Sequence, residues 1–275
     1  MTTVSRFSRP DVSLVLHDGG GQGAPFIFQH GLCGSAAQTA EVMPDVTGVR
    51  PLTLECRGHG ASEAGDPSQF SIATFADDVA ALINERSLAP AVVGGISMGA
   101  AIAQRLAVLQ PGAVRALIIA RPAWVTSAAP ANTRAYVEVG ELLASHPVAE
   151  ARRLFLASDT ARKLAAEAPD NLASLTGFFE RAPLDVTMQL LARIASDGPG
   201  VTPADLAGIS CPVLIIGHDQ DLAHPFAACQ ELATLIPHPC LIKITPKARD
   251  KVAYVSDFKA ALAAFLKDVL SGETQ

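Results

Sequence analysis

The stretch of residues 90–100, PAVVGGISMGA, constrains the fold more than any other part of the chain. An apolar run of strand length leads into Gly95, Ser97 follows in the pattern Gly-x-Ser-x-Gly, and an apolar segment of helical length begins at Met98. The glycines two residues before and after the serine allow a very tight turn between a strand and a helix. Such a turn lifts the serine hydroxyl above the sheet and directs a helix N-terminus toward it. The pattern predicts a nucleophilic serine on a strand–turn–helix unit; the alternative is a glycine-rich turn with an incidental serine.

Short apolar runs alternate with longer amphipathic segments along most of the chain, which is typical of a mostly parallel sheet flanked by helices. The predicted strands are 12–16, 25–29, 50–55, 90–96, 115–120, 211–217 and 240–245. The predicted helices include 72–85, 98–110, 225–236 and 254–270. The stretch 126–200 differs, because it shows only helix-like segments punctuated by prolines. We interpret it as a helical cap inserted into an α/β core of residues 1–125 and 201–275; the alternative is a long crossover without a role of its own.

The overall composition narrows the class of protein. With 49% hydrophobic and 17% charged residues, the chain can bury a large core. A net charge of -6 without a basic run argues against nucleic acid or an anionic membrane surface as a partner, which leaves a small-molecule substrate. The N-terminus lacks an apolar signal core, and the five cysteines show no metal-type spacing, so we expect a cytoplasmic protein with reduced thiols. No metal or organic cofactor is expected, because neither a ligand cluster nor a dinucleotide motif is present.

The motif FQHGLCGS at residues 28–35 ends a predicted strand, and its glycines allow backbone amides to point toward a site. Acyl transfer needs two such donors where negative charge develops on the substrate oxygen. We predict that the amides of Leu32 and Met98 form this oxyanion hole. His30 is expected to brace the loop and is also a candidate for lining a substrate pocket. Cys33 is either a pocket residue or a small buried filler.

Another glycine-rich turn, ECRGHGAS at residues 55–62, follows the next predicted strand. Its Arg57 and His59 are expected to hold the loop through hydrogen bonds. Trp124, the only tryptophan, lies where the predicted core meets the predicted cap. It is a further candidate for the substrate pocket, with core packing as the alternative.

Four motifs, HGLCGS, ECRGHGAS, GISMG and GHDQDLAHP, follow one another in the order that resembles the α/β-hydrolase superfamily. The segment SMGAAIAQRLAVLQPGAVRALIIARPAW is similar to the capped branch that contains enol-lactone hydrolases, C–C bond hydrolases and small esterases. The resemblance implies an α/β-hydrolase fold with an inserted helical cap and a Ser, Asp, His triad in that chain order. It assigns the nucleophile to Ser97. The acid is assigned to Asp221, whose spacing to Pro225 fits the family pattern, with Asp219 as the alternative.

The chain departs from the family pattern at the catalytic histidine. The family places this residue after the last strand, as Pro-Gly-x-Gly-His, whereas this chain has Pro246-Lys247-Ala248-Arg249-Asp250 and no histidine after His238. Asp250 therefore occupies the position of the histidine. A serine nucleophile needs a base, and the loss of a triad base typically costs about 10⁶ in rate.

Three explanations remain open for the missing base. A different histidine could act, and the candidates are His30, His59, His218 and His224, of which His224 is also a candidate pocket residue. The fold could run a different reaction, in which Ser97 or the oxyanion amides bind and polarise the substrate. Asp250, in place of the histidine, would then form an acid–base pair with Asp221, and Lys247 and Arg249 would neutralise the pair or bind an anionic substrate. The protein could also keep the pocket and lack the chemistry. We predict an enzyme that hydrolyses a small ester, lactone or related acyl substrate; the alternative is a lyase, an isomerase or a ligand-binding protein.

Overall fold

The computed structural model describes residues 2–272, which contain one eight-stranded sheet. Its strands are β1 (Thr3–Ser8), β2 (Ser13–Asp18), β3 (Ala24–Gln29), β4 (Val49–Glu55), β5 (Ala91–Ile96), β6 (Val114–Ala120), β7 (Val213–Gly217) and β8 (Cys240–Lys243). Their order across the sheet is β1-β2-β4-β3-β5-β6-β7-β8. Strand β2 pairs antiparallel with both β1 and β4, and all other neighbours are parallel. The predicted mostly parallel sheet is confirmed.

The central strands are covered on both faces, and the sequence of β5 reflects this. All six residues of AVVGGI are buried, as expected for a parallel strand between two helical layers. Strand β1 was not predicted. It lies at the edge of the sheet, most residues of TVSRFS are polar, and only Phe7 is buried.

In the part of the chain that the structure describes, six helices flank the sheet, and those that pack on the same face share a buried cluster. They are α1 (Ala36–Val42), α2 (Ile72–Glu85), α3 (Met98–Leu109), α9 (Pro203–Ala207), α10 (Phe226–Leu235) and α11 (Lys251–Ser271). Helices α2, α3, α9 and α10 contribute to the cluster on one face, and α1 and α11 contribute to the cluster on the other. Neighbouring residues of β6 alternate between the two clusters, so Leu117 joins the first and Ile118 joins the second. Within the described residues, no helix is long and apolar enough to span a bilayer.

Five helices lie between β6 and α9 and form what we call the helical insertion (residues 131–195), which includes one short 3₁₀ turn before α4 and another after α7. They are α4 (Arg134–Ser145), α5 (Val148–Ala157), α6 (Asp159–Glu167), α7 (Pro169–Gly177) and α8 (Leu184–Ala195). They bury a small core of their own, which includes Val139, Phe155 and Leu191. Leu32 and Cys33 of the sheet domain pack against this core. The insertion therefore lies beside the loop that carries the predicted oxyanion donor Leu32.

Candidate active site

Ser97 lies at a strained turn between β5 and α3. Its backbone has φ 58° and ψ -112°, a conformation that residues with a Cβ adopt rarely. The flanking glycines are required by packing. A methyl group on Gly99 would overlap the carbonyl oxygen of Gln29, and one on Gly95 would overlap the backbone of Gly99. The close approach of strand and helix therefore depends on both glycines, and it leaves the serine at the carboxyl edge of the sheet.

The hydroxyl of Ser97 contacts a histidine that contacts an aspartate. Ser97 Oγ lies 2.9 Å from His224 Nε2, and His224 Nδ1 lies 2.9 Å from Asp221 Oδ1 and 3.1 Å from Asp221 Oδ2. An ionised carboxylate only accepts hydrogen bonds, so Nδ1 carries the proton and Nε2 accepts from the serine hydroxyl. All three side chains are buried, with Ser97 8% exposed. This is the geometry of a serine, a base and an orienting acid.

Asp221 and His224 lie three residues apart in one loop after β7, which we call the acid–base loop (residues 218–225). Asp221 Oδ1 also accepts a hydrogen bond from the backbone N–H of His224 at 3.0 Å. One carboxylate therefore holds both the backbone and the ring of the histidine through hydrogen bonds within the loop. Pro225 follows directly and restricts the backbone of His224.

Arg121, at the end of β6, binds the same carboxylate from the other side. Its Nε and Nη2 lie 2.8 Å and 2.6 Å from Asp221 Oδ2. Burial alone would raise the pKa of Asp221, but the charge of Arg121 and the hydrogen bond from His224 hold it far below its ordinary value. The lowered pKa favours the ionised form of Asp221 near neutral pH. The sequence signal for Arg121 is a charged residue at the carboxyl end of a central parallel strand, the edge at which open α/β sheets bind ligands.

The carboxylates of the other acidic candidates have partners outside the Ser97–His224–Asp221 group. Asp250 is the N-cap of α11, and its Oδ1 accepts hydrogen bonds from the amides of Val252 and Ala253 at 2.9 and 3.0 Å. Its carboxylate is exposed and caps the N-terminus of the helix. The hypothesis that Asp250 pairs with Asp221 is therefore corrected. Asp219 is also exposed, and it forms an ion pair with Lys243.

A cavity of about 230 Å³ opens beside Ser97, between the sheet domain and the helical insertion. Its lining residues combine the serine site with side chains of the insertion: Gly31, Leu32, Cys33, Gly34, Gln38, Ile96, Ser97, Arg121, Tyr136, Asn171, Ser174, Phe178, His224 and Lys247. A larger, more open depression of about 640 Å³ lies on the outer side of the acid–base loop and includes neither Ser97 nor His224. The smaller cavity is therefore the candidate substrate pocket. It would accept a molecule of modest size.

Two of the four predicted pocket residues line this cavity, and two do not. Cys33 and His224 are in the lining, and burial raises the pKa of the Cys33 thiol to about 12, so this thiol stays protonated. Trp124 instead belongs to the core, where its Nε1 donates to the carbonyl of Asp197 at 2.8 Å. His30 is completely buried: its Nε2 accepts from Cys56 N–H, and its Nδ1 contacts the Gly31 carbonyl. His30 therefore supports the loop from below and is not a pocket residue.

The glycine-rich turn after β4 has the structural role that its sequence indicates. Arg57 binds Asp78 and Asp11 through several hydrogen bonds. His59 is fully buried, and its ring lies 4.8 Å from that of His30 between ring centroids. Burial lowers the pKa of both histidines, so each remains neutral. Neither contacts Ser97.

The candidate oxyanion donors flank the serine. Met98 is the first residue of α3, so its N–H belongs to the first turn and has no intrahelical acceptor. Leu32 lines the cavity, and its loop approaches the serine so closely that a methyl group on Gly31 would lie 3.5 Å from Ser97 Cβ. Among residues 2–272, no group of three or more His, Cys, Asp or Glu side chains is placed to hold a metal ion.

Comparison with known proteins yields several similarities. A family model described as the alpha/beta hydrolase fold matches residues 24–144. BpoC of Mycobacterium tuberculosis, provisionally named a non-heme bromoperoxidase, is 30% identical over 236 residues, which cover 83% of this chain and 87% of that protein. The sn-1-specific diacylglycerol lipase ABHD11 of Danio rerio is 30% identical over 156 residues, which cover 54% of this chain and 48% of the lipase. The chain thus aligns with about half of that relative.

Among solved structures, the enol-lactonase from Burkholderia xenovorans LB400 matches with a TM-score of 0.69 and 21% identity, covering 97% of this chain and 100% of that one. At this identity the likeness concerns the fold alone. The extended match to BpoC, together with the family model and the sheet order, confirms the resemblance that the four motifs indicated. This chain belongs to the α/β-hydrolase superfamily.

Proposed function

We propose that this protein hydrolyses a small ester, lactone or related acyl substrate through a covalent intermediate on Ser97. The observation that supports this best is the continuous contact from Ser97 through His224 to Asp221. In this proposal His224 is the general base, in place of the family's histidine, whose position in this chain is occupied by Asp250. Asp221 orients the ring of His224. The helical insertion would act as a cap over the reaction site.

The proposed chemistry proceeds in two steps. Ser97 Oγ attacks the substrate carbonyl while His224 Nε2 takes the hydroxyl proton, and the oxygen that becomes negative is stabilised by the amides of Leu32 and Met98. The tetrahedral intermediate collapses, and the imidazolium protonates the departing alkoxide. Water then attacks the acyl-enzyme with His224 again as base, which releases the acid and restores Ser97.

The non-hydrolytic alternative depended on the absence of a base. The contact of His224 with Ser97 supports hydrolysis over that alternative, as does the similarity to a protein named as a diacylglycerol lipase. The polar lining of the cavity and its volume of about 230 Å³ favour a small substrate. We also expect the protein to act in the cytoplasm.

The test is to measure hydrolysis of p-nitrophenyl acetate and butyrate by the wild type and by the variants Ser97→Ala and His224→Ala. Each variant should lose about 10⁴- to 10⁶-fold in kcat/KM, because the serine and the base act as one unit. His146→Ala is the matched control, since His146 is exposed at the end of α4 and should leave the rate unchanged. A fluorophosphonate probe should label Ser97 in the wild type. Full activity in His224→Ala would refute the assigned base, and full activity in Ser97→Ala would refute the mechanism.

A further inference from the structure

Two asparagines of the helical insertion hold the acid–base loop at its centre. Asn171 of α7 is buried, and its Oδ1 accepts a hydrogen bond from the N–H of Ala223 at 3.0 Å. Asn132, just before α4, donates from Nδ2 to the carbonyl of Ala223 at 2.7 Å. Both backbone polar groups of Ala223 are therefore bound by side chains of the insertion.

The carbonyl of Ala223 and the N–H of His224 belong to the same peptide unit. The carbonyl is bound by Asn132, and the N–H donates to Asp221 Oδ1 at 3.0 Å. Because a peptide unit is rigid and planar, contacts at both ends determine the orientation of its plane. Together with the φ angle of His224, that plane sets the direction in which the Cα–Cβ bond of His224 leaves the backbone. The position of the imidazole therefore depends on the insertion as well as on Asp221.

The same part of the insertion also contacts the acid side of the site. Asp170, next to Asn171, places Oδ2 3.8 Å from Nη2 of Arg121, which binds Asp221. Asn132 makes a second hydrogen bond, at 2.9 Å, to the carbonyl of Ala123 just beyond β6. The insertion is thus tied to both loop segments that support the base.

We propose that Asn132 and Asn171 are positioning residues, which hold the Ala223–His224 peptide so that the imidazole reaches Ser97 and Asp221 together. This inference rests on the proposed function, because it takes His224 as the base. A displacement of about 1 Å at a reacting group can cost about 100-fold in rate. Loss of either asparagine contact should therefore lower the rate of the chemical step more than it weakens substrate binding.

The test compares Asn132→Leu and Asn171→Leu with Asn84→Leu, a control on an exposed position of α2. Leucine has a similar branched shape and cannot form the hydrogen bonds. Each site variant should lower kcat about 10- to 100-fold while KM changes by less than about threefold. The control should match the wild type.

A double-mutant cycle separates positioning from general support of the fold. If Asn171 acts through His224, then Asn171→Leu should change the residual rate by less than about twofold in a His224→Ala background. A low-field proton resonance from the hydrogen-bonded Nδ1–H of His224 should be present in the wild type and in Asn84→Leu, and lost or shifted in Asn171→Leu. This signal reports on the ring position even where a variant is less stable.

Three outcomes would overturn the inference. They are a wild-type kcat in both asparagine variants, an equal fold loss of rate from Asn171→Leu in the wild-type and His224→Ala backgrounds, and an unchanged low-field resonance in Asn171→Leu. If His224→Ala itself retained full activity, the proposed function would fail as well. An inactive His224→Ala together with fully active asparagine variants would overturn only the positioning role.

Discussion

Replacing Arg121 with methionine should destabilise the protein strongly, because it leaves a buried carboxylate without its main partner. The Asp221 side chain has no solvent exposure, and Arg121 is 8% exposed. Breaking such a buried pair from one side typically costs about 3–5 kcal/mol. Asp221 would still accept from the ring and the backbone N–H of His224, so we expect the lower end, about 3 kcal/mol. For a chain of this size that corresponds to a melting temperature lower by roughly 6–12 °C.

The pH dependence supplies a second readout of the same pair. Although burial would raise it, the pKa of Asp221 is held far below its ordinary 3.8, mainly by Arg121. The contribution of this lowered pKa to the free energy of unfolding is present above pH 3.8, the ordinary pKa. It is lost as the pH falls through the lower pKa of Asp221 in the folded state. In Arg121→Met the folded-state pKa rises, so protonation of Asp221 begins at higher pH. The difference in melting temperature between wild type and variant should be full at pH 7 and should narrow in acid.

The assay is thermal unfolding followed by circular dichroism between pH 7 and pH 3. Arg153→Met is the matched control, because Arg153 forms an exposed pair with Glu150 three residues away and should leave the melting temperature unchanged. A loss of less than about 1 kcal/mol in Arg121→Met would refute the view that Arg121 compensates a buried charge. So would a difference that does not vary with pH.

Two further predictions concern the loop after β8. Asp250→Ala should lower the free energy of unfolding by about 1 kcal/mol through loss of the α11 N-cap and leave kcat/KM unchanged; a large loss of activity would restore Asp250 as a catalytic candidate. Lys247→Met should lower kcat/KM about tenfold for mono-p-nitrophenyl succinate relative to p-nitrophenyl butyrate, because Lys247 and Arg121 line a cavity whose lining residues include no carboxylate. Equal losses on both esters would show that Lys247 does not recognise an anionic group.

The sheet and its helices could be predicted from the sequence because their signals are local. Helix α2 is found at the predicted residues 72–85, where an apolar face repeats with the helical period. All seven predicted strands are present, with boundaries that differ by a few residues. Helix α1 and the edge strand β1 were missed because each is short and buries few residues. The order of the strands follows from the sequence only through the resemblance to a family.

The candidate site could be predicted in part. Ser97 and its glycines stand next to one another in the chain, and Asp221 follows its strand at the family's spacing. The resemblance places the catalytic histidine after the last strand, where this chain has none, so the base that we propose could not be located from the family pattern. His224 was one of several candidates, and nothing in the local sequence distinguishes it from His218, which lies in the same loop. Only the path of the loop brings the Nε2 of His224 to the serine.

By itself, the sequence determined the serine turn, because the pattern Gly-x-Ser-x-Gly between an apolar strand and an apolar helix is local. The tertiary structure decided which polar side chains meet there. Ser97 and His224 lie 127 residues apart, and Arg121 and Asp221 lie 100 apart, so their contacts depend on how separate loops converge at one edge of the sheet. The tertiary structure also decided the contacts of Asn132 and Asn171, because a hydrogen bond requires a distance and an angle that residue type alone does not specify.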